Sequence, residues 1–273
     1  MAVARIRKPV VAGYYYPADR ALLEEALDAL CRGRRAPPQR ARAVVAPHGS
    51  LRHSGAAAAA AFGAVEIPRR VMLIGPSHTG SWMPWSIMTR GAYRTPLGEV
   101  PIDSRGAEAL RARCPFLTDD AWAQQGEHAI EAVLPFLQRL GPQNLSIVPI
   151  IAGATDHDEY ARLGTALAQV ARLLEEPVLL VASTDLSHHE PAVRGAVQDR
   201  VLLDALCALD ADALRSCVRE RSIIMCGDGP AAAVLNAARA LGATQASVAA
   251  YRTSVDGGGD PGSATGYAGI IIH

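Results

Sequence analysis

The sequence lacks net charge: 27 Lys and Arg residues balance 27 Asp and Glu. A dedicated nucleic-acid binder usually carries a basic excess, so no nucleic-acid partner is expected. It also lacks any apolar run near the roughly 18 residues that a membrane span needs, so no membrane partner is expected either. The opening Met1-Ala-Val-Ala-Arg-Ile-Arg-Lys-Pro9 lacks the long apolar core of a secretory signal. There is no CxxC pair among the five cysteines, at positions 31, 114, 207, 217 and 226, which argues against a zinc ribbon or a thioredoxin-type motif. An odd set of unpaired thiols fits a reducing cytoplasm. No HExxH motif is present, so zinc-protease chemistry is not indicated. Neither a repeat of fixed period nor a separating linker appears, and one domain over residues 1–273 is expected.

What is there is an ordinary globular composition, 49% hydrophobic and 20% charged. A disordered chain is poorer in apolar residues and carries more net charge. A chain this long buries roughly three quarters of its unfolded surface and needs no disulfide staples. Arg32, Arg34, Arg35, Arg40 and Arg42 cluster around Pro37-Pro38. Without a motif, that cluster reads as a solvated connecting loop.

Apolar runs alternate with segments of helical period. Asp19 can cap a helix bearing Leu22, Leu23, Ala26, Leu27 and Leu30 on one face. Gly55 to Ala64, Asp156 to Leu174, Val193 to Leu206 and Ala211 to Arg219 read as helices, with another after Gly229-Pro230. Glu127 to Leu140 reads as one helix, kinked at Pro135. Ala43 to Ala46, Val71 to Ile74, Leu145 to Ile151 and Val178 to Ala182 read as strands; the uniformly apolar ones are buried on both faces. Trp85 to Thr89 and Tyr93 to Ile102 read as irregular or hairpin structure, and Ser247 to Thr253 and Tyr267 to Ile272 as two closing strands. The alternation predicts an α/β fold: a single-domain three-layer sandwich with a mostly parallel central sheet and helices on both faces. Ligands of such sheets bind beyond the carboxyl ends of the strands.

Three apolar strands each run into a small-residue turn and a histidine. They are Ala43-Val-Val-Ala-Pro-His48, Val71-Met-Leu-Ile-Gly-Pro-Ser-His78 and Val178-Leu-Leu-Val-Ala-Ser-Thr-Asp-Leu-Ser-His188. If the strands are parallel neighbours, the imidazoles gather at one sheet edge, where they suit divalent iron, copper or zinc. Any one of them alone reads as a capping or packing residue. Cys226, in Ile223-Ile-Met-Cys-Gly-Asp-Gly-Pro230, precedes a turn into a helix. A helix start lowers a thiol pKa, so a thiolate ligand, a nucleophile and an inert buried thiol all remain open. Cys31, Cys207 and Cys217 fall in helix-like patterns and read as core residues, while Cys114 sits in a turn before Pro115. His128 and Glu131 are three apart and can share a helix face. Asp185 and His188 are also three apart, close enough for the carboxylate to orient the ring. His53, His157 and His273 are less informative, His157 falling at a solvated helix start.

Ala46-Pro-His48, Gly75-Pro-Ser-His78, Glu127-His128-Ala-Ile-Glu131, Ser183-Thr-Asp185-Leu-Ser-His188 and Cys226-Gly-Asp-Gly-Pro230 together resemble the ordered motif series of the Memo family. The opening Ala12-Gly13-Tyr-Tyr-Tyr and the closing Gly266-Tyr-Ala-Gly-Ile-Ile-Ile-His273 fit the same series. The resemblance implies a fold similar to the class III extradiol dioxygenases. It places His48, His78 and Cys226 at the metal, with iron(II) as the first expectation and copper as the second. It places Asp185 and His188 among the pocket residues, His188 in the position of an acid/base, with His128 a further pocket candidate. It implies an iron- or copper-dependent redox enzyme acting on a small molecule, with a radical-SAM protein of the AmmeMemoRadiSam system as a possible partner. A binding module holding a peptide or acidic ligand is the alternative, and a Cys226 hydrolase a third reading. One departure stands out: His48 is followed by Gly49-Ser50-Leu51-Arg52-His53, where the family has Ala-Gly-Tyr and a second aromatic. The pocket wall is expected to lose two rings there and gain an imidazole.

Overall fold

In the computed structural model, residues 5–32, 37–80, 84–153 and 157–273 are described. The strands are β1 (Ile6–Arg7), β2 (Ala43–Ala46), β3 (Arg70–Pro76), β4 (Trp85–Ile87), β5 (Ala92–Thr95), β6 (Gly98–Pro101), β7 (Thr118–Asp119), β8 (Ser146–Ala152), β9 (Val178–Ser183), β10 (Ala246–Thr253) and β11 (Gly266–Ile272). The helices are α1 (Arg20–Cys31), α2 (Leu51–Gly63), α3 (Ser104–Arg113), α4 (Leu134–Leu140), α5 (His157–Leu173), α6 (Ala192–Cys207), α7 (Ala211–Glu220) and α8 (Asp228–Ala240).

The large sheet has the order β10-β11-β2-β9-β3-β8-β4-β7. Its centre, β2-β9-β3-β8, is parallel throughout. β10 and β11 close one side antiparallel, and β4 lies antiparallel against β8 on the other. A smaller sheet joins β1, β5 and β6. The result is a single-domain α/β fold with a mixed, mostly parallel sheet and no closed barrel, as the alternation predicts. No described helix is long and apolar enough to cross a membrane.

β2, β3 and β8 are buried at every position, and β9 at all but its first residue, because helices cover both faces. α2 packs on β2, β10 and β11, while α8 packs on β2, β3 and β9 and carries α5 and α7 outside it. Each fully buried aliphatic side chain adds about 1.5–3 kcal/mol of transfer free energy. The run of alanines in α2 serves a close approach: a Cβ on Gly269 of β11 would sit 2.2 Å from the Ala57 carbonyl oxygen.

Several local expectations are changed by tertiary context. The segment from Glu127 is not one kinked helix. It forms turns, then a 3-10 turn at Glu131–Val133, and α4 begins only at Leu134. Pro135 therefore sits in the first helical turn, where its missing N–H leaves no gap. Trp85 to Ile87 is a strand of the large sheet rather than irregular, and the hairpin proper is β5-β6. Cys114 is buried at the end of α3, whereas Cys31, Cys207 and Cys217 are only partly buried, the reverse of the periodicity reading. Arg34, Arg35, Asp156 and the side chain of His157 lie outside the described residues.

Candidate metal centre

Pro47 follows β2 and Pro76 ends β3. Proline has no N–H to give to a ladder, so both strands stop at the same edge and the chain turns away. His48 and His78 follow within two residues, and β9, lying between these strands, delivers Ser183, Thr184 and Asp185 to the same edge. The loop before α8 brings Cys226 from the far side of the sequence.

The ligand atoms of His48, His78 and Cys226 all lie within 4.8 Å of one another. His48 Nε2 is 3.4 Å from Cys226 Sγ, and the His48 and His78 ring centres are 5.1 Å apart. His128 completes a three-ring cluster: its ring stacks on His78 at 4.6 Å and meets His48 edge-on at 5.5 Å. Tyr15 packs edge-on against the outer side of His128 at 5.1 Å. His48 is buried, His128 partly so, and His78 is the open member.

The His48 and His78 rings are each held at Nδ1. His48 Nδ1 is 2.9 Å from Ser183 Oγ, which itself donates to the Ala129 carbonyl at 2.6 Å. His78 Nδ1 is 2.9 Å from Glu127 Oε1, and its backbone N–H donates to Glu127 Oε2. The same Oε1 accepts the N–H groups of His128 at 2.7 Å and Ala129 at 2.8 Å. His78, Glu127 and His128 also cluster tightly enough for a metal, but Glu127 is already engaged by these four donor contacts.

Two expectations about partners are overturned. Glu131 does not pair with His128. Its carboxylate turns into the interior, where it meets the Arg7 guanidinium, Tyr16 OH at 2.5 Å and the N–H groups of Val10 and Val11. Asp185 does not hold the His188 ring. Its Oδ1 accepts the His48 backbone N–H at 2.8 Å, and its Oδ2 lies 3.9 Å from His48 Nε2. His188 Nδ1 faces two backbone carbonyls instead, Leu186 at 2.8 Å and Ile224 at 3.0 Å.

The electrostatics follow from burial. Burial, followed by the charges of His78 and His128, holds His48 well below the ordinary imidazole value, so it is neutral at pH 7. Burial also lowers His128. In His78 burial pulls down, but the Glu127 hydrogen bond and charge outweigh it and the net shift is upward. Glu127 is opposed by burial, yet His78 and the backbone N–H groups bring it to about 2. Asp185 is raised by burial. Cys226 is raised as well, by burial and then by Asp185, although the Asp185 N–H donates to Sγ at 3.3 Å. The effect of the helix start, which lowers a thiol pKa, is outweighed here by desolvation.

Ser183, Glu127 and Tyr15 are the contributors that single-residue reading passed over. Glu127 and Ser183 each stand inside a quoted motif beside a histidine or an aspartate, and that adjacency was the available signal. His53 bonds Ser50 Oγ at 3.0 Å and lies against Gly257, outside the three-ring cluster. Tyr267 approaches Gly49, where a Cβ would sit 2.8 Å from its ring. A groove of about 590 Å³ between α1, α2 and β10 contains none of these residues.

Comparison with known proteins agrees with the motif series. The family model described as Memo-like protein matches residues 7–271. A MEMO1 family protein of Methanopyrus kandleri is 36% identical over 279 residues, covering 98% of this chain and 99% of the relative. One of Aquifex aeolicus is 35% identical over 268 residues, with the same two coverages of 98% and 99%. One of Methanothermobacter thermautotrophicus is 35% identical over 274 residues, covering 96% and 99%. With the family model spanning almost the whole chain and the same motif residues gathered at one sheet edge, this chain belongs to the Memo-like family.

Proposed function

We propose that His48, His78 and Cys226 hold one divalent metal ion, iron(II) first and copper second, in a cytoplasmic redox enzyme acting on a small molecule. The observation that carries this reading is the donor set: two imidazoles and a thiol with ligand atoms mutually within 4.8 Å. Imidazole and thiolate together suit iron, copper and zinc, whereas a carboxylate-rich set would suit magnesium or calcium. The residues present therefore fit a transition metal. When bound, such an ion supplies a change of oxidation state and coordination positions open to small ligands. The chain's own residues do the rest. His48 stays neutral at pH 7 and so keeps a lone pair to offer. His188, fixed at Nδ1 by two carbonyls, holds its Nε2 free to take or give a proton at a substrate. A positioned acid/base commonly contributes about 10²–10⁴ in rate. Asp185 locks the His48 backbone. Tyr15 packs on His128, and His128 on His48, beside the ligand pair. The raised Cys226 thiol weighs against a free cysteine nucleophile.

The test is metal analysis of protein purified without oxygen, beside Cys226→Ala and His188→Ala. Cys226→Ala is expected to lose most of the metal; His188→Ala is expected to keep it and lose turnover of small-molecule substrates under O₂. Equal metal loss in both variants would contradict the assigned roles. Full metal with no turnover on any redox substrate would favour the binding-module reading.

A further inference from the structure

We infer that the Glu127–Ala129 turn, together with Ser183, sets the tautomer of both candidate ligand histidines, making Glu127 and Ser183 positioning residues that leave Nε2 bare on each ring. The inference rests on the metal reading for its purpose but on hydrogen-bond accounting for its content.

The accounting begins at Ser183. Its hydroxyl has one proton, and the Ala129 carbonyl, which can only accept, takes it at 2.6 Å. Ser183 Oγ therefore meets His48 Nδ1, at 2.9 Å, as an acceptor. Nδ1 must carry the ring proton, which leaves Nε2 of the neutral ring bare. At His78 the argument is independent. Glu127 Oε1 already accepts two backbone N–H groups, from His128 and Ala129, so it presents lone pairs and no proton. The 2.9 Å contact must then be Nδ1–H of His78 donating to Glu127. His78 Nε2 is bare as well whenever the ring is neutral.

One residue links the two rings: the Ala129 N–H goes to Glu127 and the Ala129 carbonyl to Ser183. The turn is itself pinned from below. The Arg7 guanidinium donates to the Glu127 and Gln124 carbonyls and pairs with Glu131, all of them buried. A neutral imidazole ligates only through the nitrogen without a proton, and a partner on the other nitrogen fixes which one that is. Losing such a partner typically weakens metal affinity by about 10–100-fold. The Glu-His-Ala-Ile-Glu motif thus supplies no ligand of its own. It orients the ligands of two other motifs.

The decisive measurement is a long-range ¹⁵N–¹H correlation spectrum of the metal-free full chain at a pH where the rings are neutral, with the rings assigned through His48→Gln and His78→Gln. Both His48 and His78 are expected to show a protonated Nδ1 and a bare Nε2. Ser183→Ala is expected to shift His48 alone toward the other tautomer and to weaken cobalt(II) binding, read from the thiolate-to-metal absorption band, by about 10–100-fold. Glu127→Ala is expected to shift His78. Should that variant not fold, Ser183→Ala, a one-atom deletion, still decides the case. A proton on Nε2 of either wild-type ring overturns the inference, as does an unchanged His48 tautomer in Ser183→Ala. Wild-type protein with both Nδ1 protons in place that binds no cobalt(II) overturns the metal reading and supports the tautomer assignment.

Discussion

At the scale of single residues, the site is governed by the balance between burial and a near partner. Glu127 shows the balance most clearly. Its folded pKa of about 2 lies below the ordinary carboxylate value of 4.5, so its contribution to stability is fully present above pH 4.5. That contribution is lost as pH falls through about 2. A depression of this size corresponds to on the order of 3 kcal/mol. Urea midpoints measured between pH 5 and 2 should therefore fall more steeply in the wild type than in Glu127→Gln, which has no carboxyl to protonate. Equal slopes would mean that the His78–Glu127 contact is not formed in solution. The cysteines make a second case. Cys114 is fully buried and pushed up to about 11 by that burial, so it does not compete for oxidants. With a bound metal holding Cys226 as thiolate, mild peroxide should modify the partly exposed Cys31, Cys207 or Cys217 before either Cys114 or Cys226. Peptide mass mapping reads the order, and early modification of Cys114 would contradict its burial.

At the scale of elements, the N-terminal segment and the Glu127 turn act as one clamp. β1 supplies Arg7, residues 10 and 11 supply two N–H groups, and Tyr16 supplies a hydroxyl, all converging on Glu131. The same segment carries Tyr15 to the outer side of His128. Both Arg7 and Glu131 side chains are completely buried. Removing one partner of a buried pair leaves an uncompensated charge and costs about 3–5 kcal/mol. Glu131→Gln should lower stability by that order and speed hydrogen exchange in residues 10–16 and 124–131 ahead of the central strands. Uniform acceleration across the molecule would show that the clamp does not open as a local unit.

At the scale of the whole molecule, the site is assembled from segments distributed over almost the entire chain, from Tyr15 to Cys226. A ligand that binds only the assembled edge therefore stabilises the whole fold. Metal at one hundred times its dissociation constant adds about 2.7 kcal/mol. For a chain of this size that is a rise in Tm of roughly 5 °C. Chelation should reverse the rise, and Cys226→Ala should abolish it. Uptake should also tighten as pH rises, because ligation removes the proton that burial and Asp185 hold on Cys226. A Tm indifferent to metal and chelator would count against a metal centre at this edge.

What could be read from residue order alone was the local part. The Asp19 cap, which accepts the Leu22 N–H, follows from neighbouring residues and came out as expected. So did the four central strands, whose runs of apolar side chains need cover on both faces. That His48 and His78 stand at one edge followed from strands of one direction, each closed by proline; the third ring of the cluster is His128 and not the expected strand-end His188. What order could not supply was the partner of each polar group. His48 meets Ser183 across 135 residues and Asp185 across 137, and His78 meets Glu127 across 49. The near neighbours in sequence, Asp185 with His188 and His128 with Glu131, turn to other partners because the chain bends between them. Sequence spacing constrains a pair only while the backbone between its members is regular. Beyond that, strand register and the burial of Arg7 and Glu131 decide which donor faces which acceptor, and both are properties of the packed fold.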